Sequence, residues 1–314
     1  MIRRLFISYA HKNGEWVWDT LVPVLRAAGE GSGLEVLIDH ERFKLGGVVQ
    51  GQADALQDQA DATVAVLSPA YVKSDYCMAE LERGVVKNPD FHTDADHVVV
   101  PIRIAGGDTV IPDILKPADP AIWCDLRKDG EEQPWQKLLD RFDVGDGLGV
   151  SPAKWLKVAR EVVQVFGEES KSVNLVVRSL DANWRGMFKW VFQNQVKDFG
   201  EIDLNDPRTG NRPGLFRQIL SQTDGDSGQL PEPPDDLVVF GEHLDRMNNR
   251  KLAIRHFDNV QMREQRYEID VLAALRFATE KRKLHLLAQS TLPASKLTPR
   301  EHKISEIDFH VVEL

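Results

Sequence analysis

The chain has 314 residues, of which 42% are hydrophobic and 28% are charged, and its formal net charge is −10. This length suits two domains, and the composition excludes a wholly disordered protein. Residues 1–150 carry the acidic charge, with 15 Lys and Arg against 25 Asp and Glu, whereas residues 151–314 hold 24 of each (39 − 15 and 49 − 25). An acidic N-terminal half does not attract nucleic-acid phosphates, so we expect no nucleic-acid partner there, and any such role would fall to the C-terminal half.

Cell compartment follows from two further features of the sequence. No apolar run approaches the roughly 20 residues of a membrane span, and the N-terminus turns polar too early for a signal peptide. The two cysteines, Cys77 and Cys124, are too few for a disulfide framework, and no His or Cys spacing is typical of a metal site. We therefore predict a cytoplasmic protein without a membrane partner or a bound metal.

The first half alternates short apolar runs with helical patterns, which indicates an α/β fold with a parallel sheet. The predicted strands are residues 4–8, 35–39, 62–67, 97–104 and 121–125. The predicted helices are residues 14–28, 48–60, 74–87 and 131–143, with an irregular crossing at 105–118. A further helix, which opens at Ser151-Pro152 and ends near residue 166, joins the two halves.

The second half starts a new alternation and predicts a second α/β domain. It has predicted strands at 173–179, 251–257, 284–290 and 307–314, and predicted helices at 182–196, 214–222, 237–248 and 262–282. Turn-rich stretches flank the helix at 214–222. The domains are therefore predicted as 1–145, a linker helix at 146–170, and 171–314.

One carboxylate stands on a helix that directly follows a buried strand. Ala62-Thr-Val-Ala-Val-Leu67 is typical of a strand that is buried on both faces. Ser74 can cap the next helix, and Glu80 lies about one and a half turns further in. Ligands of open parallel sheets bind outside the carboxyl ends of the strands, so we expect chemistry at Glu80.

Several boxes in residues 1–145 resemble a Toll/interleukin-1 receptor (TIR) domain of the bacterial kind. Residues 68–81 follow the family pattern S-x-x-Y-x-x-S-x-W-C-x-x-E-L, with Tyr76 where tryptophan is common. The resemblance implies a flavodoxin-like five-stranded parallel sheet. The other boxes are Leu5-Phe6-Ile7-Ser8-Tyr9, Ile38-Asp39 running to Leu45-Gly46-Gly47, and Trp123-Cys-Asp125-Leu-Arg127.

TIR domains divide into adaptor scaffolds and enzymes that cleave NAD+ between ribose and nicotinamide, and the glutamate of the enzymes matches Glu80. Most glycoside hydrolases need a second carboxylate to protonate the leaving group. Nicotinamide departs from a pyridinium as a neutral molecule, so one carboxylate suffices. The resemblance thus implies an NAD+ glycohydrolase that uses NAD+ as substrate and no cofactor. A non-catalytic scaffold is the alternative.

The resemblance also implies substrate-binding residues around Glu80. Phe6 and Ser8 end the first strand, although Phe6 can equally be a core residue. Asp39 ends the second strand and can bind a ribose hydroxyl or be an acidic turn residue. Tyr76 and Cys77 precede Glu80, the first as an aromatic cleft wall and the second as a small buried side chain. The family uses the loop after strand two for self-association; here it comprises Arg42, Phe43, Lys44, Leu45, Gly46 and Gly47.

The second half resembles the core of the STAND and AAA-type ATPases, without their phosphate-binding loop. Ser179-Leu-Asp-Ala-Asn-Trp-Arg-Gly-Met-Phe-Lys189 lacks the glycines and the Lys-Ser/Thr pair of G-x-x-x-x-G-K-[ST]. Asp258 stands at the metal-binding position, but Asn259 replaces the second acid. We expect a regulatory domain that senses a protein or small-molecule trigger and clusters the TIR domains, in the context of antiphage defence.

Overall fold

The computed structural model describes residues 2–38, 49–87, 98–107, 110–115, 124–223, 236–262, 269–297 and 307–314. The chain folds into two compact units. One comprises Met1–Leu156 and Arg185–Trp190, and the other comprises Lys157–Trp184 and Val191–Leu314. Each unit holds one five-stranded parallel sheet. The division into domains at 145 and 171 stays a prediction.

The first unit contains a flavodoxin-like sheet, as predicted. Its strands are β1 (Arg4–Tyr9), β2 (Glu35–Leu37), β3 (Ala62–Leu67), β4 (Val98–Arg103) and β5 (Cys124–Asp125), in the order β2-β1-β3-β4-β5. All pairs are parallel, because the helices between the strands carry the chain back to the starting edge. Every residue of the central β3 is buried, which explains its continuous apolar run.

Helices cover both faces of this sheet and lie close to their predicted positions. The first spans residues 14–28 and includes the π-helical segment Val17–Leu21. Ser74 caps the helix that carries Glu80, since its Oγ accepts a hydrogen bond from the backbone N–H of Cys77 at 3.3 Å. The remaining helices are Val49–Gln59, Asp75–Lys87 and Glu132–Arg141, with a 3-10 turn at Asp113–Leu115.

The second unit contains the predicted second α/β sheet. Its strands are β6 (Val173–Val176), β7 (Phe199–Asp203), β8 (Arg250–Arg255), β9 (Leu284–Ser290) and β10 (His310–Glu313), in the order β10-β6-β9-β8-β7. Strand β7 has no counterpart in the sequence-based prediction. It lies at the sheet edge, and Gly200 is one of its two buried residues, so no apolar alternation marks it.

The helices of the second unit enclose a core with Phe216 stacked on Phe240, their ring centroids 3.8 Å apart. The single helix predicted at 262–282 is described as Asn259–Met262 and Ile269–Glu280, and residues 263–268 lie outside the described part. No described helix has the length and apolar character to cross a membrane. The other helices of this unit are Arg212–Thr223, Leu237–Arg246 and Ala294–Leu297. Residues 152–168 and 184–195 also form helices, and each of these has residues in both units.

Candidate functional site

The strand order places a candidate site between β1 and β3. The chain proceeds from β1 outward to β2 and then returns past β1 to β3, so the order of strands reverses at this point. Helices leave the carboxyl ends of β1 and β3 on opposite sides, which opens a crevice where ligands of doubly wound sheets bind. Ser8 is near the end of β1, and the loop that starts at Ser68 follows β3.

Three polar side chains meet across this crevice. The Oγ of Ser8 donates a hydrogen bond of 2.6 Å to Oε2 of Glu80 and lies 2.9 Å from the hydroxyl oxygen of Tyr71. Ser8 and Tyr71 are buried, whereas Glu80 is partly exposed. Because the one hydroxyl hydrogen of Ser8 points to Glu80, Tyr71 donates to Ser8. The order of donation is therefore Tyr71 to Ser8 to Glu80.

Burial fixes the protonation state at the inner end of this chain of hydrogen bonds. Loss of solvent raises the pKa of Tyr71 well above its ordinary value, because a phenolate would be poorly solvated there. Tyr71 thus remains a donor at neutral pH. A donated hydrogen bond polarises the Ser8 hydroxyl and strengthens its bond to the carboxylate. This arrangement holds Glu80 in one orientation at the carboxyl edge of the sheet.

A second hydrogen bond crosses from the β1 loop to the β3 loop. The Oγ of Ser68 donates to Oδ1 of Asn13 at 2.6 Å. The Oγ of Ser68 also accepts hydrogen bonds from the backbone N–H groups of Ala70 and Tyr71, at 3.2 and 3.1 Å. This turn therefore sets the position of Tyr71 beneath Ser8. Asn13 was missed in the sequence, because a polar residue in a loop carries no distinguishing pattern.

Gln57 is the other residue of this site that sequence reasoning missed. It stands near the end of the helix Val49–Gln59, and its side chain is fully buried. Its Nε2 donates to the Oγ1 of Thr63 at 3.0 Å and to the backbone carbonyl of Glu80 at 2.7 Å. Gln57 therefore contacts the residue that carries the candidate catalytic carboxylate.

The remaining predicted site residues lie in different surroundings. Phe6 is 1% exposed and packs with Leu37, Ala53 and Ala60, which favours the core-residue alternative. Cys77 is likewise buried, whereas Tyr76 is 60% exposed at the start of its helix. A role of these three in substrate binding stays a prediction. The predicted residues Asp39, Arg42, Phe43, Lys44, Leu45, Gly46 and Gly47 lie outside the described residues.

A charged cluster occupies the same edge of the sheet at β4 and β5. Arg103 and Arg127 each donate to Oδ2 of Asp125 at 2.6 Å. These hydrogen bonds hold the pKa of Asp125 well below its usual range, and those from Arg127 have the largest effect. Two guanidinium groups against one carboxylate leave this cluster of three side chains with a net positive charge. Such a cluster suits an anionic ligand.

The corresponding edge of the second sheet has its polar groups engaged with one another. Asp258 accepts hydrogen bonds from the N–H and the Oγ1 of Thr291, each at 2.9 Å to Oδ1. His256 Nδ1 lies 2.7 Å from Oδ1 of Asp203. Within the described ranges, no group of three or more His, Cys, Asp or Glu is arranged to hold a metal ion.

Comparisons with known proteins bear on both units. The family model of the TIR domain matches residues 5–139. No curated protein matches the chain. Among solved structures, the TIR domain of the Toll-related receptor TRR-2 from Hydra magnipapillata is 20% identical, covers 44% of this chain and 95% of that chain, and has a TM-score of 0.35.

Two further solved structures are matched over about half of their own length. A Walker-type ATPase of Pyrococcus abyssi is 15% identical over 50% of this chain and 52% of that chain, with a TM-score of 0.37. The structure of Drosophila ORC bound to DNA is 15% identical over 58% of this chain and 45% of that chain, with a TM-score of 0.38.

The residues matched by the family model include most of those that form the sheet of the first unit and its helices. Residues 5–139 include most of β1, all of β2 to β5 and the helix Asp75–Lys87 that carries Glu80. The strand order of that sheet is the flavodoxin-like order that the resemblance implied. Residues 5–139 of this protein are a TIR domain.

Proposed function

We propose that this protein is an NAD+ glycohydrolase that releases nicotinamide from NAD+. The observation that carries the proposal is the 2.6 Å hydrogen bond from Ser8 to Glu80 at the strand-order reversal. It orients a partly exposed carboxylate at the edge where ligands of this fold bind. TIR domains include NAD+ hydrolases, whose glutamate matches Glu80 in the motif.

The chemistry asks little of the protein beyond one oriented carboxylate. When the bond between ribose C1′ and the pyridinium nitrogen breaks, both bonding electrons leave with neutral nicotinamide, and positive charge builds on the ribose. The carboxylate of Glu80 stabilises that charge and positions the ribose hydroxyls. Water then adds to C1′ and loses a proton, which gives ADP-ribose. Attack by another part of the nucleotide instead gives a cyclic product.

The same edge of the sheet offers positive charge for the rest of the substrate. NAD+ carries a negatively charged diphosphate. The two positive charges of Arg103 and Arg127 exceed the single negative charge of Asp125 by one. Guanidinium groups bind phosphate oxygens in a planar, two-pronged geometry. We assign the diphosphate to this side of the crevice.

Regulation in this proposal comes from assembly. The loop 42–47 brings TIR domains together, and the second unit responds to a protein or small-molecule trigger. Clustering then activates the enzyme in the cytoplasm and depletes the cell of NAD+, as in a defence against phage. The segment Ser179-Leu-Asp-Ala-Asn-Trp-Arg-Gly-Met-Phe-Lys189 has none of the glycine spacing that cradles phosphates, which supports regulation without ATP hydrolysis.

The direct test measures nicotinamide release from NAD+ by the purified full chain over a range of protein concentrations. Glu80→Gln keeps the size of the side chain and removes its charge, so release should fall by about 100- to 1,000-fold. Glu82→Gln is the matched control, because Glu82 is an exposed residue of the same helix and should leave release unchanged. Equal release from Glu80→Gln and the wild type contradicts the proposal.

A scaffold without catalysis is the second candidate, and one observation favours it. Tyr76 is 60% exposed in the first turn of the helix that carries Glu80. An exposed aromatic residue suits a contact with another protein. On this alternative, Tyr76→Ser abolishes self-association measured by light scattering, and no NAD+ is consumed at any protein concentration.

A further inference from the structure

Gln57 makes an unusual pair of contacts for a helical glutamine. Its side chain is 0% exposed and lies where the helix Val49–Gln59 meets both β3 and the helix Asp75–Lys87. The amide nitrogen reaches Thr63 on β3 and the carbonyl oxygen of Glu80 on the neighbouring helix, at 3.0 and 2.7 Å. One side chain thus joins three elements at the backbone of Glu80.

The orientation of the Gln57 amide is fixed by its partners. A backbone carbonyl only accepts hydrogen bonds, so the nitrogen and not the oxygen of the amide must face Glu80. The oxygen, Oε1, is then buried and has no hydrogen-bond partner among the described residues. Leaving a buried amide oxygen unpaired costs roughly 1–3 kcal/mol. The two hydrogen bonds that Nε2 donates offset this cost by about 0.5–1.5 kcal/mol each, so the glutamine adds little net stability.

The neighbouring helix leaves space for this amide. Gly84 lies one turn after Glu80, and a Cβ at Gly84 would stand 3.4 Å from Nε2 of Gln57 and 3.0 Å from Cγ2 of Val99. Glycine inside a helix costs about 1 kcal/mol relative to alanine. Gly84 therefore leaves room for Val99 and for the amide of Gln57, which reaches the carbonyl of Glu80.

We propose that Gln57 is a positioning residue for Glu80. Its bond to the Glu80 carbonyl fixes the rotation and the axial position of the helix Asp75–Lys87 relative to β3, to which Thr63 anchors the amide. Catalytic groups must be held to within about 0.5 Å of their productive geometry. This inference rests on the proposed function and adds the element that holds its carboxylate in place.

Surface ion pairs between the same two helices provide a matched control. Arg83 Nη2 lies 2.7 Å from Asp58 Oδ2, and Lys87 Nζ lies 2.8 Å from Asp58 Oδ1. These pairs join the helices but do not contact Glu80. Exposed pairs contribute about 0–1 kcal/mol. Arg83→Met therefore weakens the docking of the helices without removing the bond to the Glu80 carbonyl.

The test compares kcat and KM for nicotinamide release by the full chain. Gln57→Met keeps the length of the side chain and removes both donated hydrogen bonds, so kcat should fall by about 10- to 100-fold. KM should stay within about threefold, because no substrate contact is lost. Arg83→Met should retain the kcat of the wild type. A kcat of Gln57→Met within threefold of the wild type, or an equal loss in Arg83→Met, overturns the positioning role.

A second variant covers the case in which Gln57→Met fails to fold. Thr63→Val preserves the shape of a β-branched strand residue and removes the hydroxyl that anchors the amide on β3. It should lower kcat by about three- to tenfold at constant KM, and an unchanged kcat overturns the inference. Failure of the proposed function is read separately: it shows as equal release from Glu80→Gln and the wild type, whatever Gln57 variants do.

Discussion

The hydrogen bond between Ser8 and Tyr71 predicts that the effect of Tyr71→Phe on stability depends on whether Ser8 is present. Tyr71→Phe removes one buried hydrogen bond and should destabilise the first unit by about 0.5–1.5 kcal/mol. Ser8→Ala removes the partner of a fully buried phenol, whose hydroxyl then stays unpaired. An unsatisfied buried group costs about 1–3 kcal/mol, so Ser8→Ala should be the more damaging change.

The double variant separates this explanation from a simple loss of contacts. When Ser8 is already alanine, Tyr71→Phe removes the unpaired hydroxyl, so it should leave stability unchanged or raise it. In the wild-type background the same substitution lowers stability. The difference between the two backgrounds is the coupling energy, which we expect at about 1–3 kcal/mol, within the range for residues in direct contact.

Hydrogen exchange followed by mass spectrometry measures this in the full chain. Amides in β1 and β3 report the stability of the first unit, and those in β8 and β9 serve as an internal control that should not change. If Tyr71→Phe costs the same in both backgrounds, Ser8 and Tyr71 do not act as a pair. That result would also remove the argument that Tyr71 holds Ser8 toward Glu80.

Three further predictions concern charge, thiol chemistry and helical glycines. The depressed pKa of Asp125 adds stability that is present above the unfolded-state pKa of about 3.9 and is lost as pH falls through the lower folded-state value; Asp125→Asn should therefore lower the thermal midpoint at pH 7 and flatten its decline in acid. Burial raises the pKa of Cys124 to about 12, so a native protein treated with iodoacetamide at pH 7 should yield unmodified Cys124 peptides, whereas the unfolded protein should be fully alkylated. Gly51→Ala meets open space and should stabilise by about 0.5–1 kcal/mol, while Gly84→Ala, which meets Val99 at 3.0 Å, should give no such gain in urea unfolding.

Most of the fold was accessible from the sequence because buried parallel strands have a distinctive composition. Strands β3 and β9 lie at their predicted residues, Ala62–Leu67 and Leu284–Ser290. Both are buried along their whole length, and β9 is recognisable from its leucines although His285, Gln289 and Ser290 are polar. Helix ends were predicted where a cap is local, as with Ser74, since its hydrogen bond reaches only three residues ahead.

Strand β7 shows where such reasoning fails. Gly200 and Ile202 are its buried residues, and a Cβ at Gly200 would lie 2.4 Å from the backbone carbonyl of Gln222. Glycine is thus required by a helix that packs closely on the strand. The packing partner is 22 residues away, and glycine has no side chain to reveal burial. The sequence consequently has the composition of a loop.

Glu80 and Gln57 also differ in how far they can be recognised from the sequence. Glu80 was found through a motif, but Gln57 stands in a helix whose many polar residues indicate a solvent-exposed surface. A signal was nevertheless present, because Ala53, Leu56, Gln57 and Ala60 have the i, i+3, i+4, i+7 spacing of a buried stripe. A glutamine inside such a stripe must find hydrogen-bond partners within the protein, since burial without them is costly. Its position in the stripe predicts burial, whereas the identity of its partner, the carbonyl of Glu80, depends on how two helices pack against β3.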